Sequence, residues 1–187
     1  DLEALTRLLA YGQWDRLPHH RADAELLAGG LYLSLGLHNE AGERFSRLLT
    51  PSTPAGVRNR AWFYLGKVWY ARGYDDKAEH ALRSVTGLLP PELEAEKTHL
   101  LANVLMHGGR YDEAVQVLDA FQGRSDWVAY ARFNLGVAFV RKGQLPDADR
   151  YLTSVGEMAA GTPEMLALRD KANLALGFAY LQADQPA

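Results

Sequence analysis

Small and bulky apolar residues return along the chain at intervals of 34 to 37 residues and form parallel columns. The reference column is alanine, at Ala41, Ala78, Ala114 and Ala148. A glycine stands five residues before each alanine, at Gly36, Gly73, Gly109 and Gly143. Another small residue stands twelve before it, at Gly29, Gly66, Ala102 and Gly136. A bulky apolar residue stands four after it, at Phe45, Leu82, Leu118 and Leu152.

These columns predict pairs of packed helices. A small residue in each helix of a pair lets the two backbones approach closely, and the large residues beside them fill the groove. Glycine adopts the left-handed conformation at little cost, so the glycine column predicts where the first helix of each pair ends. Caps and chain breakers then predict helices near 2–11, 20–35, 39–49, 55–72, 75–86, 91–107, 111–121, 126–142, 146–158 and 163–182.

The repeat resembles the tetratricopeptide repeat of bacterial proteins, a helical hairpin of 34 residues. The best copy consists of Trp62, Leu65, Gly66, Trp69, Ala78, Leu82 and Pro90. The resemblance extends over about residues 22 to 182, and a truncated fifth copy begins at Leu176, Gly177 and Tyr180. It implies an all-α fold, a right-handed superhelix (solenoid) of about four helical hairpins.

The predicted organisation is a cap followed by the repeats. Residues 1–21 form a degenerate half-repeat, because Pro18 stops a second helix soon after Trp14. Residues 22–187 form the solenoid, with repeats over about 22–58, 59–94, 95–128 and 129–162 and a partial repeat over 170–187. We expect a fragment of a longer chain. Its open C-terminal end predicts a homodimer, since apolar ends of a solenoid normally meet a cap or a partner.

The resemblance implies that the first helix of each pair lines a concave surface. Spacings of three and four along these helices select one stripe of aromatic, polar and positively charged side chains. Such residues are enriched where proteins bind proteins. The predicted partner-binding residues are Arg60, Tyr64, Lys67, Tyr70, His99, Asn103, Tyr130, Asn134 and Arg141. The apolar members Phe63, Phe133 and Leu174 are equally compatible with packing against neighbouring first helices.

Some tetratricopeptide proteins hold a C-terminal carboxylate with lysines, asparagines and an arginine. The matching positions here carry His99, Asn103, Asn134, Lys171 and Ala175. Both asparagines and one lysine are present, whereas a histidine replaces the first lysine and the arginine is absent. The resemblance therefore supports a carboxylate clamp only in part.

Composition removes several other kinds of site. The net charge of −3 argues against a general nucleic-acid binder, and the absence of cysteine excludes disulfides and thiolate metal sites. His99 and His107 are eight residues apart, about 12 Å along a helix, which is too far for two ligands of one metal ion. No stretch is apolar enough to insert into a membrane. We expect no enzyme activity, no cofactor and no metal.

These observations favour a scaffold that binds a peptide or helix of a partner protein in the concave groove. Two alternatives stay open, namely a small-ligand or glycan-binding module that uses the aromatic stripe, and an auxiliary domain of a larger bacterial envelope protein. A composition rich in alanine, leucine and arginine looks bacterial. It leaves cytoplasm and periplasm open, and family analogy alone favours the envelope.

Overall fold

The computed structural model describes residues 2–13, 20–121, 125–158 and 161–183, and the regular structure in these ranges is α-helical. Its helices are α1 (Leu2–Gln13), α2 (Arg21–Ser34), α3 (His38–Arg47), α4 (Ala55–Ala71), α5 (Asp75–Arg83), α6 (Pro91–His107), α7 (Tyr111–Ala120), α8 (Asp126–Arg141), α9 (Leu145–Met158) and α10 (Pro163–Ala183). Each predicted helix has a counterpart, so the all-α prediction is confirmed. Trp14 and Pro18, on which the predicted N-terminal cap depends, lie outside the described residues.

The largest difference from prediction is the end of α5, which we expect at residue 86 and which lies at Arg83. The reason is a side chain on α4. Asn59 is buried, and its Oδ1 accepts a hydrogen bond from the backbone N–H of Thr86 at 3.3 Å. A side chain that captures a backbone donor competes with the helix for it.

The chain divides into two compact units, residues 1–94 and 95–187, and α6 crosses the boundary. In the first unit α2 packs against α3, α3 against α4, and α4 against α5, while α1 packs against α2. Its core includes Leu26, Phe45, Leu65 and Val68. In the second unit α8 packs against α9 and α9 against α10. The core there includes residues of α6, α7, α8, α9 and α10, among them Ala102, Leu118, Leu135, Leu152 and Met165.

Turns of one type join the two helices in four of the pairs. The glycine φ angles are 74°, 73°, 72° and 71° at Gly36, Gly73, Gly109 and Gly143, which confirms the left-handed conformation. After α4, the N–H of Tyr74 donates to the carbonyl of Trp69, and the carbonyl of Tyr74 accepts from the N–H of Ala78, both at 2.9 Å. The other three turns repeat this pair of bonds at 2.9–3.1 Å. The residue after each glycine thus ends one helix and begins the next.

Glycines inside the first helices allow the bulky residues of the second helices to approach. A Cβ atom built on Gly66 would lie 2.7 Å from the nearest atom of Leu82, and one on Gly136 would lie 2.7 Å from Leu152. Both leucines are almost completely buried, so neither can move aside cheaply. The predicted close approach is confirmed, and the structure adds that the large residue of the second helix is what lies against the glycine.

Adding one methyl group should therefore loosen a helix pair. We expect Gly66→Ala and Gly136→Ala to lower the free energy of unfolding by about 1–3 kcal/mol, because overpacking a buried contact costs more than the better helix propensity of alanine returns. Urea unfolding monitored by circular dichroism measures the change.

Gly177 provides a matched control, since it holds the same position in the truncated fifth copy. A Cβ atom there would have nothing within 4 Å. We expect Gly177→Ala to be neutral or to stabilise by up to about 1 kcal/mol, the gain in helix propensity alone. Equal losses in all three variants would contradict the importance of the close approach.

Candidate functional site

The predicted stripe on α4 lies largely in contacts within the first unit. Arg60 forms an ion pair with Asp23 of α2 at 3.5 Å. The ring of Tyr64 stacks on that of Phe45, with 5.3 Å between centroids. The Lys67 ammonium lies 5.9 Å from the centre of the Tyr64 ring. Arg60 and Tyr64 therefore hold α4 against α2 and α3, whereas Lys67 contacts a ring of its own helix.

The other stripe residues on α4 are also buried, either in part or completely. Tyr70 is half-buried, and Phe63 is completely buried, so Phe63 belongs to the packing of the unit rather than to a binding surface. The structure therefore supports the interpretation of Phe63 as a core residue. Leu174 differs, since 61% of its surface is exposed on α10.

The second unit contains a groove of 480 Å³ between the ends of α6 and α8. Three predicted residues line it together: Asn103, Asn134 and Arg141. The walls also include four residues that follow the same spacings of three and four on α6 and α8, namely Met106, His107, Phe133 and Val137. The spacing of three and four thus selects side chains that meet in one cavity. Its volume lies within the usual range for ligand pockets, about 300–1,000 Å³.

The groove carries positive charge although the whole chain is acidic. Arg141 and Lys142 line it, and among the described residues the lining includes no aspartate or glutamate. The Lys142 ammonium lies 3.9 Å from the centre of the Tyr111 ring, a close cation–π contact that fixes it at the rim. An arginine, a lysine and two amides in one cavity are donors suited to a carboxylate or a backbone carbonyl.

A row of hydrogen bonds connects the two asparagines to His99. The Nδ1 atom of His99 lies 2.8 Å from the carbonyl oxygen of Trp127 on α8. The amide nitrogen of Asn103 lies 2.9 Å from Nε2 of His99. The amide of Asn134 donates to Oδ1 of Asn103 at 3.3 Å. Asn103 is one of the few buried polar side chains described, and these bonds satisfy it.

The surroundings of His99 disfavour its charged form. Burial lowers the pKa of His99 below its usual 6.5, whereas the hydrogen bond to the Trp127 carbonyl and the charge of Glu96 act in the opposite direction. The Trp127 ring also lies against the imidazole, with 5.3 Å between centroids. Burial therefore favours the neutral form of His99, and the bonds to Trp127 and Asn103 hold its ring in one orientation.

Other predicted positions do not join this groove. Tyr130 is exposed on α8 and is not among the lining residues, and His99 reaches the cavity only through Asn103. Of the partial carboxylate clamp, Asn103 and Asn134 lie together, while Lys171 and Ala175 of α10 do not line the cavity. The clamp is thus not assembled around this groove in the residues described.

Sequence reasoning missed Tyr111 and Lys142. Both lie beside glycine turns, outside the first-helix stripe, since Tyr111 begins α7 and Lys142 follows the last residue of α8. The pairing of an aromatic residue with a cation next to such turns recurs in the first unit, where Lys77 lies 5.2 Å from the Tyr74 ring centre. An aromatic residue and a cation near such turns form the pattern that could have indicated Tyr111 and Lys142.

Three further findings bear on function. No three histidine or acidic side chains lie close enough to share a metal ion in the ranges that the structure describes. None of the helices described is long and apolar enough to cross a membrane. No family model matches the sequence, and no curated protein matches it.

The two asparagines should contribute differently to stability. Asn103 is 6% exposed and bonded on both sides, so we expect Asn103→Ala to lower the free energy of unfolding by about 1–3 kcal/mol. Asn134 is exposed, and water in the groove can replace its amide, so Asn134→Ala should stay within about 0.5 kcal/mol. Urea unfolding of both variants tests this contrast. Similar losses would show that the row of bonds is not anchored at Asn103.

Proposed function

We propose that the chain is an interaction module of the tetratricopeptide type, whose hairpins form a right-handed solenoid over residues 22–187. This proposal is supported by the repetition of the same local structure along the chain. Four glycine turns share the same backbone angles and the same pair of hydrogen bonds, and two first-helix glycines meet a leucine in the same way. A helix pair cannot bury its apolar face alone, so pairs in series favour stacking.

The module holds a segment of a partner protein in the groove between α6 and α8. The observation that carries this proposal is the composition of the groove, in which apolar walls from Phe133 and Val137 adjoin the amides of Asn103 and Asn134. Apolar area supplies affinity, and a few placed donors supply orientation. Arg141 and Lys142 favour a segment that presents a carboxylate or several backbone carbonyls.

The glycan-binding alternative has less support. It depends on aromatic rings that are free to stack on sugars, and the ring of Tyr64 is already stacked on Phe45. In the second unit Tyr111 is covered in part by the Lys142 ammonium. A peptide-holding groove uses the same residues without requiring an open ring face.

A selection from a random peptide library on the immobilised full chain tests the groove. We expect enriched peptides that bind with a measurable Kd by fluorescence anisotropy. Arg141→Glu combined with Asn134→Ala should weaken that binding at least tenfold, because a hydrogen bond to a charged group contributes about 1.5–3 kcal/mol and 1.4 kcal/mol is tenfold. Helical content should be unchanged, since both side chains are exposed.

Arg7→Glu is the charge-matched control. Arg7 lies on α1 with 74% of its side chain exposed, and it does not line the groove. It changes the net charge as Arg141→Glu does, so it should leave peptide binding intact. Peptides that bind the groove variant as tightly as the parent would place the binding surface elsewhere.

We also propose that α10 mediates self-association. Leu174, Phe178 and Leu181 are 61%, 58% and 64% exposed, and their spacings of four and three place them on one helix face. Leu174→Glu should shift sedimentation toward monomer. Leu88→Glu is the control, since Leu88 is 98% exposed and lies between α5 and α6. A parent chain that sediments as monomer at high concentration would contradict this proposal.

A further inference from the structure

The hydrogen bonds through His99 form a chain in which every donor and acceptor is determined. The Trp127 carbonyl can only accept, so Nδ1 of His99 must donate to it over 2.8 Å. In the neutral ring Nε2 must then accept, and it does so from the amide nitrogen of Asn103. The Oδ1 atom of Asn103 is left to accept from the amide of Asn134. A backbone carbonyl thus fixes the direction of three successive bonds.

We propose that His99 is a positioning residue that sets the hydrogen-bonding polarity of the groove, and that protonation of its ring reverses this polarity. The effect on binding rests on the proposed function, whereas the reversal itself requires no ligand. It concerns Asn103 and Asn134, the two amides that face the cavity.

The reversal follows from what a protonated imidazole can do. Both ring nitrogens then carry protons, so Nε2 becomes a donor and faces the Asn103 amide nitrogen, which is also a donor. Two donors at 2.9 Å repel, and rotation of the Asn103 amide by half a turn presents Oδ1 to the ring instead. Asn103 then donates toward Asn134, which must rotate in the same sense to accept. The NH₂ group of Asn134 is thereby released from Asn103 and turns toward the groove.

Among the described residues, His107 is a second titratable histidine that lines the groove, and the charge that acts on His99 is that of a carboxylate. Glu96, on the same helix, is the charged group that raises the pKa of His99, and α8 contributes the carbonyl and the indole of Trp127, neither of which titrates. Burial is the largest influence and lowers the pKa below 6.5. The reversal is therefore expected below neutral pH. Because burial disfavours the charged ring, the folded chain also loses stability as pH falls from 6.5 through this lowered pKa.

The consequence for binding is a gain in donors. At pH 7 one amide N–H of Asn134 is used by Asn103, and after reversal that group is available beside Arg141. A carboxylate of a bound peptide would accept from both. The groove should thus hold an acidic segment more tightly at mildly acidic pH.

Nuclear magnetic resonance of the full ¹⁵N-labelled chain tests the relay directly. At pH 8 we expect the ring proton on Nδ1 and a scalar coupling across the hydrogen bond between Asn103 Nδ2 and His99 Nε2. Below the pKa of His99 that coupling should vanish, and the side-chain amide resonances of Asn103 and Asn134 should shift with the same midpoint as the ring. A ring proton on Nε2 at pH 8, or a coupling that persists when the ring is protonated, would overturn the proposal.

Two controls separate a relay from a general effect of pH. The buried Asn59 amide accepts from Thr86 and has no part in the relay, so its resonance should not follow the His99 midpoint. In His99→Phe, which keeps a ring against Trp127, the Asn103 and Asn134 resonances should stop responding. Continued titration of both amides in that variant would assign the effect to another group.

A blocked tetraglutamate peptide tests the consequence. Its affinity should rise severalfold as pH falls through the His99 midpoint, and this rise should be smaller in His99→Phe, which retains His107. An equal rise in both chains would overturn the role of the relay in binding. If the resonances reverse but neither this peptide nor any peptide from the library binds at any pH, the proposed function fails and the relay stands.

Discussion

The structure depends on the contact between a small residue of one helix and a bulky residue of its partner. At Gly66 and Gly136 the partner leucine occupies the space that a Cβ atom would need. Close approach of this kind lets apolar side chains interlock at the density of a protein interior. The contact also fixes which face of the first helix is turned inward. The positions one after or two before the small residue, such as Asn103 after Ala102 and Asn134 before Gly136, are then directed away from the partner helix.

The glycine turns extend this constraint along the backbone. The residue after each glycine closes one helix with its N–H and starts the next with its carbonyl. Three residues therefore join the two helices in each of these four pairs. Asn103 of α6 and Asn134 of α8 line the same cavity although they belong to different helix pairs. The groove thus depends on contacts between two first helices that the turns do not join, among them the hydrogen bond from Asn134 to Asn103.

The sequence predicts much of this arrangement and leaves part of it unpredictable. Regular spacing gives the helices, the left-handed glycines and the stripe that contains Asn103, Asn134 and Arg141, because periodicity defines faces. It does not give the partners of individual side chains, which depend on neighbouring helices. The ion pair of Arg60 with Asp23, the stacking of Tyr64 on Phe45 and the bond that ends α5 early are all of this kind. The superhelix itself stays a prediction.

The cations of the groove act over a short distance without a defined direction, whereas its amides act in a defined direction. Exposed charges are screened over about 8 Å at physiological ionic strength, so Arg141 and Lys142 act on groups already close to them. For a segment held as proposed, they would favour acidic side chains but would not fix the register. Register requires donors of defined direction, and the bonded row from His99 to Asn134 supplies a direction imposed by the backbone. Under the proposed function, specificity would therefore depend more on two neutral amides than on the net charge of the groove.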